Sequence, residues 1–181
     1  MPIRATRLAA RTAPPPVAAV ADTGGRDFGS LVHRLLEWIP LEDVDSGRAE
    51  RVRSMAEALA PSFGLDAAAA ARASEQVERV LALPLIERAR RAKSAWRELT
   101  LWFPDGGDLV EGKVDLAFEE DGQLVVVDYK SDAIAESEVI QQADHHKEQL
   151  RIYGRGLTQA IGLPVRERLV LFTALGRTVP V

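Results

Sequence analysis

The chain has 181 residues, a formal net charge of −4 and no cysteine. This length is enough for one domain with a hydrophobic core, and the net charge argues against a protein that coats nucleic acid with its whole surface. The absence of cysteine excludes disulfides, thiolate zinc sites and iron–sulfur clusters, and it fits a cytoplasmic protein. No apolar stretch is long enough to cross a membrane, and the first residues lack a signal-peptide pattern.

The first 26 residues have the composition of a linker. They contain Pro14-Pro15-Pro16 and Gly24-Gly25 among many alanines, and such a segment forms a spacer without a core of its own. The predicted parts are a linker or disordered tail at 1–26 and one domain at 27–181, which divides into a helical part at 27–96 and an α/β core at 97–181.

Four helices are predicted before the first long strand. The apolar periodicity, the capping residues and the prolines place them at about 27–39, 45–60, 66–83 and 84–96. His33 lies at the edge of the apolar stripe of the first helix. From this local pattern alone, a histidine is more often a structural residue than a metal ligand.

A cluster of basic residues closes the helical part. Taken singly, each of them is typical of a solvated helix face. As a group they are the best candidates for contacts with a phosphate backbone, because such contacts need several cations on one side. The cluster consists of Arg88, Arg90, Arg91, Lys93 and Arg97.

Three antiparallel strands in meander order are predicted at 97–103, 109–118 and 123–130. The Asp121-Gly122 dipeptide is a strong hairpin signal, and the short connections leave little room for another order. The unbroken apolar run from Leu124 to Val127 predicts a strand that is buried on both faces. A helix is then predicted at about 135–161 and a last strand at 168–174.

The long helix after the meander contains several polar residues and two glycines. Gln149 and Tyr153 are one turn apart and therefore neighbours on its surface. Gly154 and Gly156 are unfavourable within a helix, so they indicate a close approach by backbone or ligand. His145 and His146 point about 100° apart on a helix, and we therefore predict that they are structural or solvent-facing rather than joint metal ligands.

The chemistry is concentrated at the ends of the second and third strands. Asp128 and Lys130 share one face of a strand, and the hairpin can bring Asp115 near Asp128. Two carboxylates beside an ammonium group are suited to a Mg²⁺ site with a cation next to it. The simpler interpretation of Asp115 and Lys130 is a cross-strand ion pair, with Asp128 at the edge of the sheet.

The order of these elements resembles the PD-(D/E)XK nucleases, and among them the C-terminal nuclease domains of RecB and AddA helicase–nucleases. The residues that carry the resemblance run from about Phe28 to the C-terminus: His33 on a helix, Glu98 on a strand, Gly112-Lys113-Val114-Asp115, Asp128-Tyr129-Lys130, and Gln149-x-x-x-Tyr153. The resemblance implies an α/β fold of restriction-endonuclease type, with a mixed central β-sheet flanked by helices and an all-helical N-terminal or inserted region.

The resemblance also implies roles for individual residues. His33, Asp115 and Asp128 would bind a divalent metal together with the backbone carbonyl of Tyr129, and Lys130 would orient the attacking water or help to deprotonate it. A nearby metal would lower the pKa of such a lysine. Supporting or DNA-contacting roles are implied for Glu98, Gln149 and Tyr153.

The implied activity is that of a Mg²⁺- or Mn²⁺-dependent deoxyribonuclease. It would be the exonuclease part of a RecB/AddA-like helicase–nuclease in double-strand break repair, and its partners would be DNA and a helicase domain or subunit. The AddB-like branch is disfavoured because the chain lacks the cysteines of an iron–sulfur cluster. Two alternatives stay open: a non-catalytic DNA-binding or assembly module on the same fold, and a free-standing nuclease. Polarity of digestion, strand preference, the number of metals and the oligomeric state are not fixed by the sequence.

Overall fold

A computed structural model of the chain describes residues 3–4 and 23–181. Within these residues, six strands form one mixed sheet, with helices on both of its faces. The strands are β1 (Ile3–Arg4), β2 (Ala95–Asp105), β3 (Asp108–Glu120), β4 (Gln123–Lys130), β5 (Val165–Phe172) and β6 (Arg177–Pro180). The α-helices are α1 (Thr23–Trp38), α2 (Arg48–Leu59), α3 (Ala67–Leu81), α4 (Pro84–Arg91), α5 (Val139–Asp144) and α6 (Lys147–Ile161).

The sheet combines an antiparallel meander with a parallel crossover. Strands β2, β3 and β4 pair antiparallel, as the sequence predicts, and Asp121-Gly122 forms the turn between β3 and β4 with positive φ at both residues. Strand β5 then pairs parallel with β4, and this geometry requires a long connection that α5 and α6 supply. Strand β6 pairs antiparallel with β5, and β1 pairs parallel with β3. The predicted mixed sheet flanked by helices is therefore confirmed.

Two hydrophobic cores lie on the two faces of the sheet. Helices α1 to α4 pack over Val125 and Val127 of β4, whereas α5 and α6 pack over Leu124 and Val126 of the same strand. All four residues are fully buried, which confirms the prediction of a strand that is covered on both faces. The C-terminal end of β4 consequently emerges between two packed layers.

The helical part matches its predicted elements better than its predicted boundaries. Helix α1 begins at Thr23, earlier than expected, and Asp66 caps α3 by accepting a hydrogen bond of 2.8 Å from the backbone N–H of Ala69. The helix predicted at 84–96 is wrong in its second half. It ends at Arg91, because Ala95 and the residue after it pair with β3 as the start of β2.

The predicted helix at 135–161 is interrupted. A short 3₁₀ turn (Glu136–Glu138) and α5 are followed by a bend at His145 and His146, whose backbone N–H groups donate to carbonyls three residues earlier. Helix α6 therefore begins only at Lys147. The last predicted strand starts at Val165 instead of 168, and β6 is a further edge strand that the sequence pattern did not reveal.

Most of the predicted linker lies outside the described residues. Only Ile3 and Arg4 of its first 22 residues are described, and they pair with Val110 and Glu111 of β3. The division into a linker at 1–26 and a domain at 27–181 therefore stays a prediction. In the part of the chain that the structure describes, no helix is both long and apolar enough to cross a membrane.

Candidate metal centre and active site

The site begins with an irregularity in β2 at Glu98. Trp96 and Leu99 both pack into the core beneath α5 and α6, although residues three apart on a regular strand face opposite sides. The alternation shifts at Glu98, whose φ of 50° is in the left-handed region that non-glycine residues rarely adopt. As a result, Arg97 and Glu98 both turn toward helix α1.

Strand β3 shifts at the matching position, Asp115. Val114 and Ala117 lie in the core beneath α5 and α6, whereas Leu116 lies in the core beneath α1 to α4. Since Arg97 pairs with Leu116 and Leu99 pairs with Val114, Glu98 is directly opposite Asp115. Two matched breaks in the alternation thus direct two carboxylates toward the same helix. The strained backbone at Glu98 is of a kind that clusters at functional sites.

Helix α1 presents His33 to this carboxylate pair. The buried residues of the helix, which include Leu31, Val32 and Leu35, fix it on the sheet. The His33 Nδ1 atom lies 3.4 Å from Asp115 Oδ1 and 3.6 Å from Glu98 Oε1. The imidazole also contacts the Tyr129 ring edge to face, with 5.8 Å between the ring centroids. A structural histidine is the simpler interpretation of the sequence alone, yet in the fold this side chain faces two largely enclosed carboxylates.

Strand β4 contributes its last three residues. The backbone N–H of Tyr129 donates a hydrogen bond of 2.6 Å to Asp115 Oδ2. Asp128 is 4% exposed, and Lys130 Nζ lies 2.7 Å from Asp128 Oδ2 as an ion pair. Asp128 and Lys130 thus share one face, as the alternation predicts, while Tyr129 faces α1.

Burial and charge together shift the pKa values of these groups. Burial alone would lower the pKa of His33, but the carboxylates of Asp115 and Glu98 outweigh it and raise this pKa to about 10. Burial raises the pKa of Asp115. For Lys130, burial is again outweighed, here by Asp128, so its pKa is raised. The charge nearest to Lys130 is negative, and the lysine is therefore cationic in this structure.

The donor set fits a divalent cation. Ligand atoms of His33, Glu98 and Asp115 all lie within 4.8 Å of one another. Two buried oxygens of the site, Glu98 Oε1 and Asp128 Oδ2, accept no hydrogen bond from the described residues, and the short Lys130 contact lacks the alignment of a hydrogen bond. Buried carboxylate oxygens without a donor are costly unless a cation or water satisfies them. Oxygen ligands with one imidazole suit Mg²⁺ or Mn²⁺.

The cluster differs from the predicted ligand set in one respect. Glu98, predicted as a supporting residue, stands within it, whereas Asp128 stands beside it and pairs with Lys130. Ligation by Asp128 and by the carbonyl of Tyr129 stays a prediction. His145 and His146 belong to no such cluster among the described residues.

The sequence pattern gave no role to Lys113 and did not indicate that Glu98 belongs to the cluster. The Lys113 ammonium contacts Glu98 Oε2 and neutralises part of the acidic cluster. The signal was present in the strand register, because a hairpin that pairs Arg97 with Leu116 places Glu98 opposite Asp115. The shifted alternation, however, requires a left-handed backbone conformation at Glu98, and no local sequence pattern predicts it.

Gln149 and Tyr153 form a wall of the cleft. Gln149 Nε2 donates to the Tyr153 hydroxyl at 2.7 Å, and the Tyr153 ring lies against Gly112. A Cβ atom on Gly112 would lie 3.1 Å from two ring carbons, which explains the glycine before Lys113. Both side chains line an open cleft of about 580 Å³ that also contains His33, Asp115 and the other carboxylates of the site. The predicted residues of the centre are therefore brought together in one cleft.

The basic cluster of the sequence is not part of this cleft. Arg88 pairs with Glu120 and Glu167, Arg90 donates to the carbonyls of Leu41 and Leu81, and Arg97 donates to the carbonyls of Leu36 and Ile39. Because these guanidinium groups already form intramolecular ion pairs or hydrogen bonds, a structural role explains the three arginines better than a DNA contact. Arg91 and Lys93 are largely exposed, and for them the DNA contact stays a prediction.

The fold and the cluster together define an α/β protein of restriction-endonuclease type. The family model of the PD-(D/E)XK nuclease superfamily matches residues 5–174, and the chain therefore belongs to this superfamily. A crystal structure of an exonuclease candidate from Eubacterium rectale has the same fold. It superposes with a TM-score of 0.52 and 12% sequence identity, and the match covers 91% of this chain and 61% of that one.

The curated relatives belong to helicase–nucleases. An ATP-dependent helicase/nuclease subunit from Desulforamulus reducens is 28% identical over 169 residues, which are 83% of this chain and 13% of the relative. The protein of the same name from Lachnoclostridium phytofermentans is 35% identical over 71 residues, which are 39% of this chain and 5% of the relative. The chain thus spans only a small part of the length of these relatives.

Proposed function

We propose that this chain is a metal-dependent deoxyribonuclease domain that hydrolyses phosphodiester bonds. The observation that carries the proposal is the cleft in which His33, Glu98 and Asp115 converge beside the Asp128–Lys130 pair. A lone carboxylate pair is common on protein surfaces. Here Asp128 is buried, and the side chains of Glu98 and Asp115 are only 8% and 12% exposed. One oxygen each of Glu98 and Asp128 accepts no hydrogen bond from the described residues, and an ammonium group is adjacent.

Mg²⁺ or Mn²⁺ is the proposed cofactor. His33, Asp115, Asp128 and the carbonyl of Tyr129 would hold it, together with Glu98. When bound, a divalent cation supplies charge neutralisation and Lewis-acid stabilisation for the reacting phosphodiester. The oxygen-rich donor set supports a hard cation over zinc.

The chain's own residues would prepare the substrate around this centre. Lys130, held by Asp128 and cationic, would donate hydrogen bonds to the attacking water or to a phosphate oxygen and so orient them. Gln149 and Tyr153 would contact the DNA from the opposite wall, where their mutual hydrogen bond fixes both side chains. Closely packed strands hold these groups before the substrate arrives, and such preorganisation is where much of the catalytic effect arises.

The finer assignment is exonuclease activity within a RecB/AddA-like helicase–nuclease that acts in double-strand break repair. It is supported by relatives that are named as ATP-dependent helicase/nuclease proteins and of which this chain covers 5% to 13%. The proposed partners are DNA and a helicase domain or subunit, and a cytoplasmic location follows from that substrate. The carboxylates, the histidine and the lysine of the centre are all present, which argues against a module that has lost catalysis.

Linear DNA incubated with the purified chain and Mn²⁺ or Mg²⁺ tests the activity. We expect hydrolysis to disappear in Asp128→Ala. It should persist in Asp144→Ala, which changes an exposed aspartate on α5. Unchanged hydrolysis in Asp128→Ala would overturn the assignment. Circular single strands that resist digestion would support the exonuclease. Calorimetry without detectable Mn²⁺ binding would favour the non-catalytic module.

A further inference from the structure

Helix α1 carries a second set of residues whose place at the cleft is not explained by the metal centre. Arg26, Ser30, Arg34 and Trp38 recur every four residues and therefore form a row along one side of the helix, with steps of about 6 Å. The first three line the same cleft as the metal centre. The opposite side of the helix is buried in the core, so the row faces away from it.

The end of the row is an exposed tryptophan with an arginine stacked on it. The Arg34 guanidinium carbon lies 5.3 Å from the centroid of the Trp38 ring, and Arg34 Nη1 donates to Glu37 Oε2 at 2.8 Å. Trp38 nevertheless remains 50% exposed. Cation–π contact and the ion pair orient both side chains, while a large aromatic surface is left for another group.

Electrostatics explain why a strand would need this row. The centre of the cleft contains the carboxylates of Glu98, Asp115 and Asp128, which repel a phosphate backbone. Cations beside the acids can hold the neighbouring phosphates, and Arg26 and Arg34 lie on one wall of the cleft while Lys113 lines it nearer the acids. An aromatic ring beyond such cations is the usual arrangement of a surface that binds nucleic-acid strands.

We propose that the row of Arg26, Ser30, Arg34 and Trp38 binds the nucleic-acid strand next to the bond that is cut. Arg34 contacts a phosphate, and Trp38 stacks on a base, which must be unpaired to be reached. The inference rests on the proposed nuclease function, but it assigns residues outside the metal centre. Continuity of the row with the cleft favours a strand over a protein surface that covers Trp38.

Binding of a fluorescein-labelled oligothymidylate of about 12 nucleotides to the full chain in EDTA tests the row without hydrolysis. Fluorescence anisotropy should show roughly 5- to 150-fold weaker binding in Trp38→Ala, with much of the affinity retained in Trp38→Phe. Arg34→Gln should reduce the slope of log K against log salt concentration by about 0.7, the value for one phosphate contact. The matched controls Trp102→Ala and Arg53→Gln change exposed residues outside the cleft and should bind as the wild type does.

Two results would overturn the proposal. One is a wild type that does not bind the oligonucleotide. The other is binding that is unchanged in both Trp38→Ala and Arg34→Gln, which would assign Trp38 to a protein partner instead. The nuclease assay separates this failure from that of the proposed function. If the chain hydrolyses DNA but the substitutions in the row do not weaken binding, only the role of the row is disproved. If the substitutions weaken binding but the wild type does not hydrolyse DNA in Mn²⁺, only the nuclease function is disproved.

Discussion

The backbone N–H of Tyr129 donates to the Asp115 carboxylate at 2.6 Å, directly beyond the last pair of residues that joins β3 and β4. The pairing of these strands ends at Leu116 and Val127. The Asp115 side chain therefore joins the two strands by a hydrogen bond at the point where their backbone pairing ends. Asp115 consequently serves the fold and the proposed metal centre at the same time.

Asp115→Asn should separate these two roles. The amide oxygen can still accept from Tyr129, whereas the negative charge is lost. We expect a melting temperature within a few degrees of the wild type and a loss of nuclease activity of roughly 100-fold or more. Thermal unfolding and a DNA degradation assay measure the two effects.

Asp115→Ala provides the comparison, because it removes the acceptor as well. The buried N–H group then loses its partner, so we expect about 1–3 kcal/mol less stability than in Asp115→Asn. Equal stability of the two variants would show that the Tyr129 hydrogen bond does not stabilise the fold.

The buried hydroxyl of Thr173 donates a hydrogen bond to the backbone carbonyl of Lys130. Thr173 is fully buried, accepts from Gln76 Nε2 at 2.5 Å and donates from Oγ1 to the Lys130 carbonyl at 3.2 Å. Thr173→Val keeps the shape but leaves the amide of Gln76 without its acceptor, and we expect a loss of about 1–3 kcal/mol in urea unfolding. Thr173→Ser should retain most of the stability. In a Gln76→Leu background the cost of Thr173→Val should shrink, and a cost that does not change would contradict the coupling.

Gly156 on α6 is explained by Phe103 and not by a ligand. A Cβ atom at Gly156 would come within 2.6 Å of Phe103 Cδ1, and Phe103 is a buried residue of β2. The sequence-based expectation of a close approach at Gly156 is confirmed, but the expected partner, backbone or ligand, is wrong because the approaching group is a side chain. Gly156→Ala should destabilise the protein by about 1–3 kcal/mol, although alanine favours helices.

A smaller partner should restore that loss. In a Phe103→Leu background, Gly156→Ala should cost less than in the wild type, and thermal unfolding of the four proteins gives the coupling. A loss of the same size in both backgrounds would mean that the strain arises elsewhere.

The sequence predicted the strands of the centre well because their signals are local. The apolar run before Asp128 and the Asp121-Gly122 turn fix β4 and its pairing with β3. Glu98 shows where such reasoning ends. Its place in the cluster depends on a left-handed backbone and on the matching shift at Asp115, and both arise from the packing of two strands against α1.

The predicted boundaries of the helices were wrong for a related reason. Ala95 and Trp96 suit a helix by local pattern, yet pairing with β3 draws them into β2. The bend at His145 and His146 likewise carries no proline or glycine signal, and it places α6 so that Gln149 and Tyr153 reach the cleft. Tertiary contacts override local preference in both places.

Arg97 and Arg91 should behave differently, although both were predicted to contact DNA. Arg97 donates to the carbonyls of Leu36 and Ile39 at the end of α1, so Arg97→Met should destabilise the protein by about 1–3 kcal/mol. Arg91 is 78% exposed, and Arg91→Met should leave stability within about 0.5 kcal/mol. If Arg91 touches phosphate, its loss lowers the salt dependence of DNA binding. A stable Arg97→Met with weaker DNA binding would restore the original prediction for that residue.

Metal ions should stabilise the folded chain, because the carboxylates and the imidazole converge only in the native state. Mn²⁺ at about 100 times its dissociation constant should add about 2.7 kcal/mol to the free energy of unfolding. A melting curve with and without EDTA measures this gain. Asp115→Asn should abolish this gain, while Asp144→Asn should keep it.

Glu98→Gln and Asp128→Asn then decide which residues bind the ion. A smaller gain in Glu98→Gln alone would place the ion in the cluster with His33, and a smaller gain in both variants would place it between the two acids. A chain that gains nothing from Mn²⁺ would contradict the proposed metal centre.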